Sequence, residues 1–186
     1  LGAGLRIQPT SGPPGTTVRV SGSGTKSLEP VAVVLGSNLA STDITANSQG
    51  IWSTDITIPS SPSGPLSVVA SGSTSRATST NFTVVPALDL SEPQGFPGSR
   101  TTLRGIGFQA HQTNIPIDFG DALIGSATAD ALGTWSLEID IPQVAAGTYP
   151  IRVTSSNSSL QILFNITAGV SIAGGRLAPG ETVTVV

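Results

Sequence analysis

One eleven-residue phrase occurs twice in the chain, and this repetition constrains the fold more than any other feature. It reads QGIWSTDITIP at 49–59 and LGTWSLEIDIP at 132–142, and it places the only two tryptophans, Trp52 and Trp135, at the same point in each copy. The same displacement of 83 residues (135 minus 52) relates Pro14-Gly15 to Pro97-Gly98, Gly22 to Gly105, Gly24 to Gly107 and Gly64 to Gly147. Because self-similarity at a fixed spacing is the signature of repeat proteins, the sequence predicts tandem copies of one domain.

The repeat also sets the predicted domain boundaries. We expect one complete repeat over residues 5–86 and a second over residues 88–168. Residues 1–4 match the end of a repeat, and the pattern starts a third time over residues 170–186 before it stops. The chain is therefore interpreted as a slice of a longer array, with two whole repeats between two fragments.

Within each repeat, apolar residues alternate with polar ones. Because successive side chains of a strand point to opposite faces, this alternation predicts strands with one buried face. Seven strands are predicted in the first repeat, at Leu5–Ile7, Thr17–Ser21, Val31–Leu35, Thr42–Ala46, Ile51–Ile58, Leu66–Ser71 and Thr78–Val85. Many short strands separated by turn residues favour an all-β chain of tandem immunoglobulin-like β-sandwich domains, with about seven strands each.

The duplicated phrase itself predicts a strand of the hydrophobic core. Its inward register carries an indole and two isoleucines in each copy, and a buried tryptophan contributes a large apolar area. The predicted structural core therefore includes Trp52, Ile56, Ile58, Phe82, Trp135, Ile139, Ile141 and Phe164. The alternative, an exposed tryptophan platform for stacking sugars, is disfavoured because each tryptophan continues the inward register of its strand.

Two prolines fall inside predicted strands of the second repeat. Proline has no N–H to donate to a neighbouring strand, so Pro116 and Pro150 are predicted to lie on sheet edges. At an edge they would hinder strand pairing between molecules.

The turn glycines and alternating strands together resemble a known family. The pattern PxSGxPGTxVxVxGxG at 9–24, the strands VAVVLG and IPIDFG, and the stretch TADALGTWSLEIDIPQVAAGTYPIRV at 128–153 carry the resemblance. They are similar to IPT/TIG-type and related bacterial immunoglobulin-like repeats, which occur in tandem in exported surface proteins, adhesins and multidomain extracellular enzymes. The resemblance covers almost the whole chain and implies a sandwich fold. The cysteine pair of vertebrate immunoglobulin domains is absent.

Composition excludes several classes of function. The chain has no cysteine, which rules out disulfide frameworks and thiolate chemistry. Its net charge is −3 and its eight Lys and Arg residues are scattered, so we expect no nucleic-acid partner. No stretch approaches the roughly 18 apolar residues of a membrane span. A surface rich in Ser and Thr with little charge favours an extracellular or cell-surface location.

The residues that could support catalysis do not form a recognisable set. The only histidine, His111, lies in a predicted loop, and neither GSG nor GIG extends to the nucleotide-binding pattern GxGxxG. Paired carboxylates can act as acid and base in hydrolysis when a cleft gives them different pKa values. Glu138 and Asp140 are predicted to lie on the outward face of the tryptophan strand, which offers no cleft. Glu29 and Lys26 are interpreted as a surface ion pair of little energetic value. We therefore expect neither enzymatic activity nor a cofactor.

Three aspartates of the second repeat are weak candidates for a calcium site. Asp118, Asp121 and Asp130 offer the oxygen ligands that calcium prefers. Their counterparts in the first repeat are Val34, Ser37 and Asn47, whereas a site integral to the repeat should recur.

Three Asn-x-Ser/Thr sequons, at Asn81, Asn157 and Asn165, would matter only in a host that glycosylates them.

These observations lead to two functional hypotheses. The first is a non-catalytic structural spacer of a bacterial surface or secreted filamentous protein, with neighbouring repeats as its partners. The second is an adhesin-type binding module that recognises a glycan or a surface protein through end loops or an exposed aromatic such as Phe108. In addition, residues 170–186 are expected to mediate self-association by strand pairing if they are ordered without the rest of a third repeat.

Overall fold

The structure is a computed structural model that describes residues 4–75, 77–155 and 158–168. In these ranges it contains sixteen β-strands and no helix. The first repeat comprises β1 (Gly4–Gln8), β2 (Ser11–Gly12), β3 (Thr17–Ser23), β4 (Pro30–Leu35), β5 (Asn38–Thr45), β6 (Trp52–Thr57), β7 (Gly64–Gly72) and β8 (Thr78–Val84). The second comprises β9 (Ala87–Leu90), β10 (Gln94–Gly95), β11 (Arg100–Ile106), β12 (Ile115–Phe119), β13 (Ala122–Ala127), β14 (Trp135–Asp140), β15 (Gly147–Thr154) and β16 (Ser159–Ile166).

Each repeat forms two sheets of its own. The first repeat has a three-stranded sheet in the order β1-β3-β6 and a five-stranded sheet in the order β2-β8-β7-β4-β5. The second has the matching sheets β9-β11-β14 and β10-β16-β15-β12-β13. Within the described residues, no sheet contains strands of both repeats. The predicted class of tandem immunoglobulin-like β-sandwiches is confirmed.

All seven strands predicted in the first repeat are present, and one further strand was missed. The chain leaves the three-stranded sheet after β1 and crosses to the five-stranded sheet, where β2 pairs in parallel with β8. In the second repeat β10 does the same with β16. A two-residue strand is too short to show an alternating pattern, so the sequence gives no signal for it. The first described strands of the repeats begin at Gly4 and Ala87, one residue before the predicted boundaries.

Each sandwich encloses a separate hydrophobic core. The first core groups buried side chains between Ile7 and Val84, and the second groups those between Leu90 and Ile166. Trp52 and Trp135 are only 5% and 4% exposed. The other predicted core residues are also buried, namely Ile56, Ile58, Phe82, Ile139, Ile141 and Phe164.

Each tryptophan lies directly against the backbone of a glycine on the neighbouring strand. Trp52 is paired with Gly22 across β3 and β6, and Trp135 with Gly105 across β11 and β14. A Cβ atom at Gly22 would lie 2.4 Å from the indole Cε2 of Trp52, and one at Gly105 would lie 2.2 Å from that of Trp135. The indole therefore requires glycine at this position, which explains why the glycine and the tryptophan recur together.

The predicted edge positions of Pro116 and Pro150 are wrong, because both prolines lie in interior strands of the five-stranded sheet. The N–H of Gly120 donates to the Pro150 carbonyl (2.9 Å), but proline cannot return a hydrogen bond to Gly120. The guanidinium of Arg152 donates to the Gly120 carbonyl instead, at 2.7 Å. Pro116 lies just before the β12–β15 register begins at Ile117, so its missing N–H interrupts no pairing there.

Leu28 adopts a left-handed backbone conformation, with φ of 58°, although its side chain is 69% exposed and has no buried contact to lose. Its counterpart His111 has φ of 57°, and both N–H groups donate to the equivalent carbonyls of Asn47 and Asp130. Asparagine tolerates this conformation because its short polar side chain can hydrogen-bond locally, whereas other residues that carry a Cβ atom are disfavoured in it by about 1–2 kcal/mol. We expect Leu28→Asn to stabilise the first repeat by about 0.5–1 kcal/mol, measured by urea denaturation. Leu28→Ala, which keeps the Cβ atom, should change stability much less; an equal gain would refute this account.

Candidate functional site: the ends of the sandwiches and their junction

The strand directions divide the loops of each repeat between two ends. We define the upper end of a repeat as the one at which its first strand begins, and the lower end as the one at which its last strand finishes. The upper end of the first repeat carries loops 24–29, 46–51 and 73–75, and its lower end carries loops 13–16, 58–63 and 85–86. The upper end of the second repeat carries loops 107–114, 128–134 and the described residues 155 and 158.

The lower end of the first repeat meets the upper end of the second. Only Val85 and Pro86 lie between β8 and β9. The N–H of Val85 donates to the Gly12 carbonyl (3.1 Å), and the proline ring fixes the φ angle of Pro86. This connection therefore leaves little conformational freedom between the two sandwiches.

Two contacts join the loops of the junction. The N–H of Ser63 in the first repeat donates to the carbonyl of Phe108 in the second, at 2.9 Å. Gly107 has φ of +69°, and a Cβ atom there would lie 2.8 Å from the Val85 carbonyl oxygen and 2.9 Å from Cδ of Pro14. Glycine is thus required at the junction for conformation and for space, a role that the sequence pattern did not reveal.

Phe108 is part of the core, which contradicts its prediction as an exposed aromatic for ligand binding. It is 1% exposed, and its ring packs edge-to-face against Trp135 with 5.4 Å between ring centroids. The counterpart of Phe108 in the first repeat is Thr25, so comparison of the two copies gave no sign of a core position.

The prediction for Glu29 is also wrong: its carboxylate is buried rather than paired on the surface with the Lys26 ammonium. It accepts six hydrogen bonds. Their donors are the backbone N–H groups of Lys26 (2.9 Å), Thr74 and Ser75 (2.8 Å), and the hydroxyls of Ser73 (3.4 Å), Thr74 (2.9 Å) and Ser75. One carboxylate thereby holds loop 24–29 against loop 73–75. The hydroxyl of Ser75, more than any other donor, holds the pKa of Glu29 well below its usual range.

The buried carboxylate of Glu29 makes the stability of the first repeat depend on pH in the acid range. Since the pKa of the folded state is lowered, the carboxylate contributes stability above the pKa of the unfolded chain, and this contribution is lost as pH falls. We expect the unfolding temperature of the first repeat to decrease below about pH 4.5. Glu29→Gln should lower that temperature by several degrees at neutral pH and flatten its acid dependence. Calorimetry between pH 3 and pH 7 tests this; an unchanged pH profile in the variant would contradict it.

The exposed carboxylates Glu138 and Asp140 both bind one guanidinium. Arg100 Nε lies 2.7 Å from Asp140 Oδ1, and Arg100 Nη1 lies 3.1 Å from Glu138 Oε1. The hydrogen bond that Arg100 donates to Asp140, followed by the charge of Asp140, raises the pKa of Arg100. One positive charge is therefore shared by two acids on an open sheet face, and exposed pairs of this kind contribute little stability.

Of the three calcium candidates, Asp130 binds backbone N–H groups of its own loop, whereas Asp121 and Asp118 both lie beside Arg152. Asp130 Oδ1 accepts the N–H groups of Leu132 and Thr134, both at 2.8 Å. Asn47 makes the same turn in the first repeat, so the role of Asp130 in loop geometry recurs. Asp121 lies 3.3 Å from Arg152, which is also opposite Asp118 in the β12–β15 register. In the part of the chain that the structure describes, no three His, Asp or Glu side chains are grouped as metal ligands.

The remaining predicted features lie on the surface or outside the described residues. Asn81 and Asn165 are exposed on β8 and β16. Asn157 and residues 169–186, including the start of the third repeat and its predicted strand pairing, lie outside the described residues. The described ranges contain no helix with the length and hydrophobicity of a membrane span.

No protein-family model and no curated protein sequence matches this chain. Among solved structures, the Yersinia pseudotuberculosis adhesin InvE matches at 11% identity with a TM-score of 0.41, over 89% of this chain and 59% of its own. Invasin, described as a bacterial integrin-binding protein, matches at 15% identity with a TM-score of 0.40. The match covers 91% of this chain and 40% of the invasin chain. The Escherichia coli adhesin FdeC matches at 12% identity with a TM-score of 0.39. The match covers 89% of this chain and 64% of the FdeC chain. The chain thus spans less than two thirds of each.

Proposed function

We propose that this segment is a non-catalytic spacer of a bacterial cell-surface or secreted filamentous protein, in which successive sandwiches form a semi-rigid rod. The observation that carries the proposal is the junction, where a two-residue connection is supported by the Ser63–Phe108 hydrogen bond and the close approach of Gly107. Each contact restricts bending between the two domains.

The path of the chain supports the same proposal. Each repeat starts at its upper end, where Gly4 pairs with Ser23, and finishes at its lower end, where Val84 pairs with Gly64. The second repeat repeats this course, from Ala87 opposite Ile106 to Ile166 opposite Gly147. A unit that enters at one end and leaves at the other extends the rod with each copy.

Small-angle X-ray scattering of the 186-residue chain tests the rod. A compact chain of this length would have a radius of gyration of about 16 Å. Two sandwiches of about 12 Å each, with centres about 35 Å apart, should give about 21 Å. A matched variant with six Gly and Ser residues inserted between Val85 and Pro86 should show a broader distance distribution. A radius near 16 Å, or no change on insertion, would contradict the proposal.

The second candidate function is an adhesin-type module that binds a glycan or a surface protein through end loops. The observation that favours it is an open cavity of about 340 Å³ at the upper end of the first repeat, beside Trp52 and the loop containing Lys26. A glycan and cell-surface protein array tests this candidate. In a variant, loops 24–29 and 73–75 are exchanged for those of the second repeat. If this exchange abolishes binding while the fold is retained, the binding module is favoured over the spacer.

A further inference from the structure

The outer face of the five-stranded sheet differs between the two repeats. In the second repeat, Asp118 on β12 lies opposite Arg152 on β15, so this face carries two opposite charges on neighbouring strands. In the first repeat, the equivalent strands place Val34 opposite Val69. Both valines alternate with buried core residues along their strands and are themselves partly exposed. An apolar pair therefore replaces a charged pair at a position that faces solvent.

Leu39 extends this apolar pair into a row across three adjacent strands. It lies opposite Val34 on the edge strand β5, and it is 63% exposed. Residues directly opposite each other on neighbouring strands share one face of a sheet, so Leu39, Val34 and Val69 are in line on the outer face. We call these three residues the apolar row. Covering the row with a partner would remove apolar area from water, which is favourable.

The strands around the apolar row carry almost no charge. Among the residues of β2, β4, β5, β7 and β8, the only charged one is Asp43, on the edge strand β5. By contrast, the three-stranded sheet of the same repeat carries Arg6, Arg19 and Asp55. The outer face of the five-stranded sheet therefore suits a partner surface that is itself uncharged.

A second copy of the same face meets this requirement. Two uncharged faces approach without like-charge repulsion, whereas a charged partner would lose hydration without gaining an ion pair. Ala32 and Ser71 lie opposite each other beside the apolar row, and such small side chains allow two sheets to pack about 10 Å apart. The four longer strands of the sheet have six to nine residues each. They cover roughly 400 Å² per copy, so two faces together bury about 1,000 Å² of accessible surface, which is the lower limit of a specific interface.

We propose that the outer face of the five-stranded sheet in the first repeat is a self-association surface, on which two copies of the chain pack their apolar rows against each other. Because both copies use the same face, a twofold axis relates them. The contact joins two chains side by side, and it goes beyond the spacer function, which concerns contacts along one chain. An interface of this size without large aromatic anchors supports a weak dimer, with a dissociation constant on the order of 0.1 mM.

Sedimentation equilibrium of the 186-residue chain over about 10 µM to 1 mM tests for this dimer. We expect the average mass to rise from 18.7 kDa, the mass of one chain, toward twice that value. Val34→Asp combined with Val69→Arg is the blocking variant, since it installs the two charges that the second repeat carries at these positions. Burying these charges is costly, so the variant should weaken the dimer by about tenfold or more.

Ser21→Arg combined with Ser53→Asp is the matched control. These serines lie opposite each other on β3 and β6, so the variant places the same two charges on the other sheet of the same repeat. It should form the dimer as the unmodified chain does. Thermal unfolding of both variants checks that each retains its fold.

Intermolecular NOEs in a mixture of isotope-labelled and unlabelled chains locate the contact without any variant. We expect them between the methyl groups of Leu39, Val34 and Val69 of the two copies. A chain that stays monomeric at about 1 mM would overturn the proposal, even if lipid vesicles or glycans shift these methyl signals, because the face would then belong to a different partner. A dimer that the blocking variant leaves intact, or NOEs that connect other faces or residues 170–186, would overturn it as well.

Discussion

Replacement of Trp135 by alanine is expected to destabilise the second repeat by about 3–5 kcal/mol. The indole is buried between the core and the Phe108 ring, and its removal leaves a cavity beside Gly105 that no neighbouring side chain fills. Because small domains are stable by only about 5–15 kcal/mol, much of the stability of this repeat would be lost. The first repeat has its own core and should be nearly unaffected, apart from the contacts at the junction.

Urea denaturation followed by circular dichroism measures the loss of stability in the second repeat, and tryptophan fluorescence of the same variant follows the first repeat separately, since Trp52 is then the only tryptophan. Trp135→Phe is the matched control, because the indole Nε1 of Trp135 has no hydrogen-bond partner among the described residues and phenylalanine keeps most of the apolar contact. It should cost much less than alanine. Simultaneous unfolding of both repeats in Trp135→Ala would show that the two sandwiches are not separate folding units.

The second large effect is expected for Gly133→Ala. Gly133 has φ of +70°, and a Cβ atom there would lie 2.1 Å from the Phe108 carbonyl oxygen, a backbone atom that cannot turn aside. Displacing that carbonyl also disturbs its hydrogen bond from Ser63 at the junction. The combined cost of the left-handed conformation and the clash should be about 3 kcal/mol or more.

Gly120→Ala is the control for this prediction. Gly120 has a similar φ of +60°, but nothing lies within 4 Å of a Cβ atom built there. Its substitution should therefore cost only the conformational part, about 1 kcal/mol. Thermal unfolding of the two variants gives the difference. Similar losses for both would mean that the clash at Gly133 is relieved by movement of loop 107–114.

The repeat, with its alternating apolar residues and turn glycines, was enough to predict the sandwich class, every strand of the first repeat except β2, and the buried tryptophans, because these features act through local geometry. Predictions that depended on tertiary contacts were less successful. The predicted edge positions of Pro116 and Pro150 were wrong. At Pro150, the guanidinium of Arg152 replaces the missing backbone donor. At Pro116, the pairing of β12 with β15 begins only at the next residue, Ile117. No local pattern indicates either arrangement.

The ends of the sandwiches were the least predictable part. The burial of Glu29 depends on donors from loop 73–75, which is about 45 residues away in sequence, as the separations of 44 to 46 residues in its contacts show. Phe108 was misassigned because it lies in a loop, its partner Trp135 lies on a strand that is distant in the sequence, and its counterpart in the first repeat is a threonine. Loops carry no periodicity, so only the three-dimensional structure identifies which of them meet.

The crossing of the chain from one sheet to the other has a mechanical consequence. In the first repeat, Thr10 and Gly12 accept hydrogen bonds from Thr83 (2.9 Å) and Val85 (3.1 Å), and this ties the first segment of the domain to its last, parallel strand. The second repeat does the same through Pro93 and Gly95, with Asn165 and Thr167 as donors. Tension applied to the chain ends pulls these parallel strands in opposite directions, so their bonds are sheared together rather than opened one after another. Each domain should therefore resist stretching, because these hydrogen bonds must break at the same time.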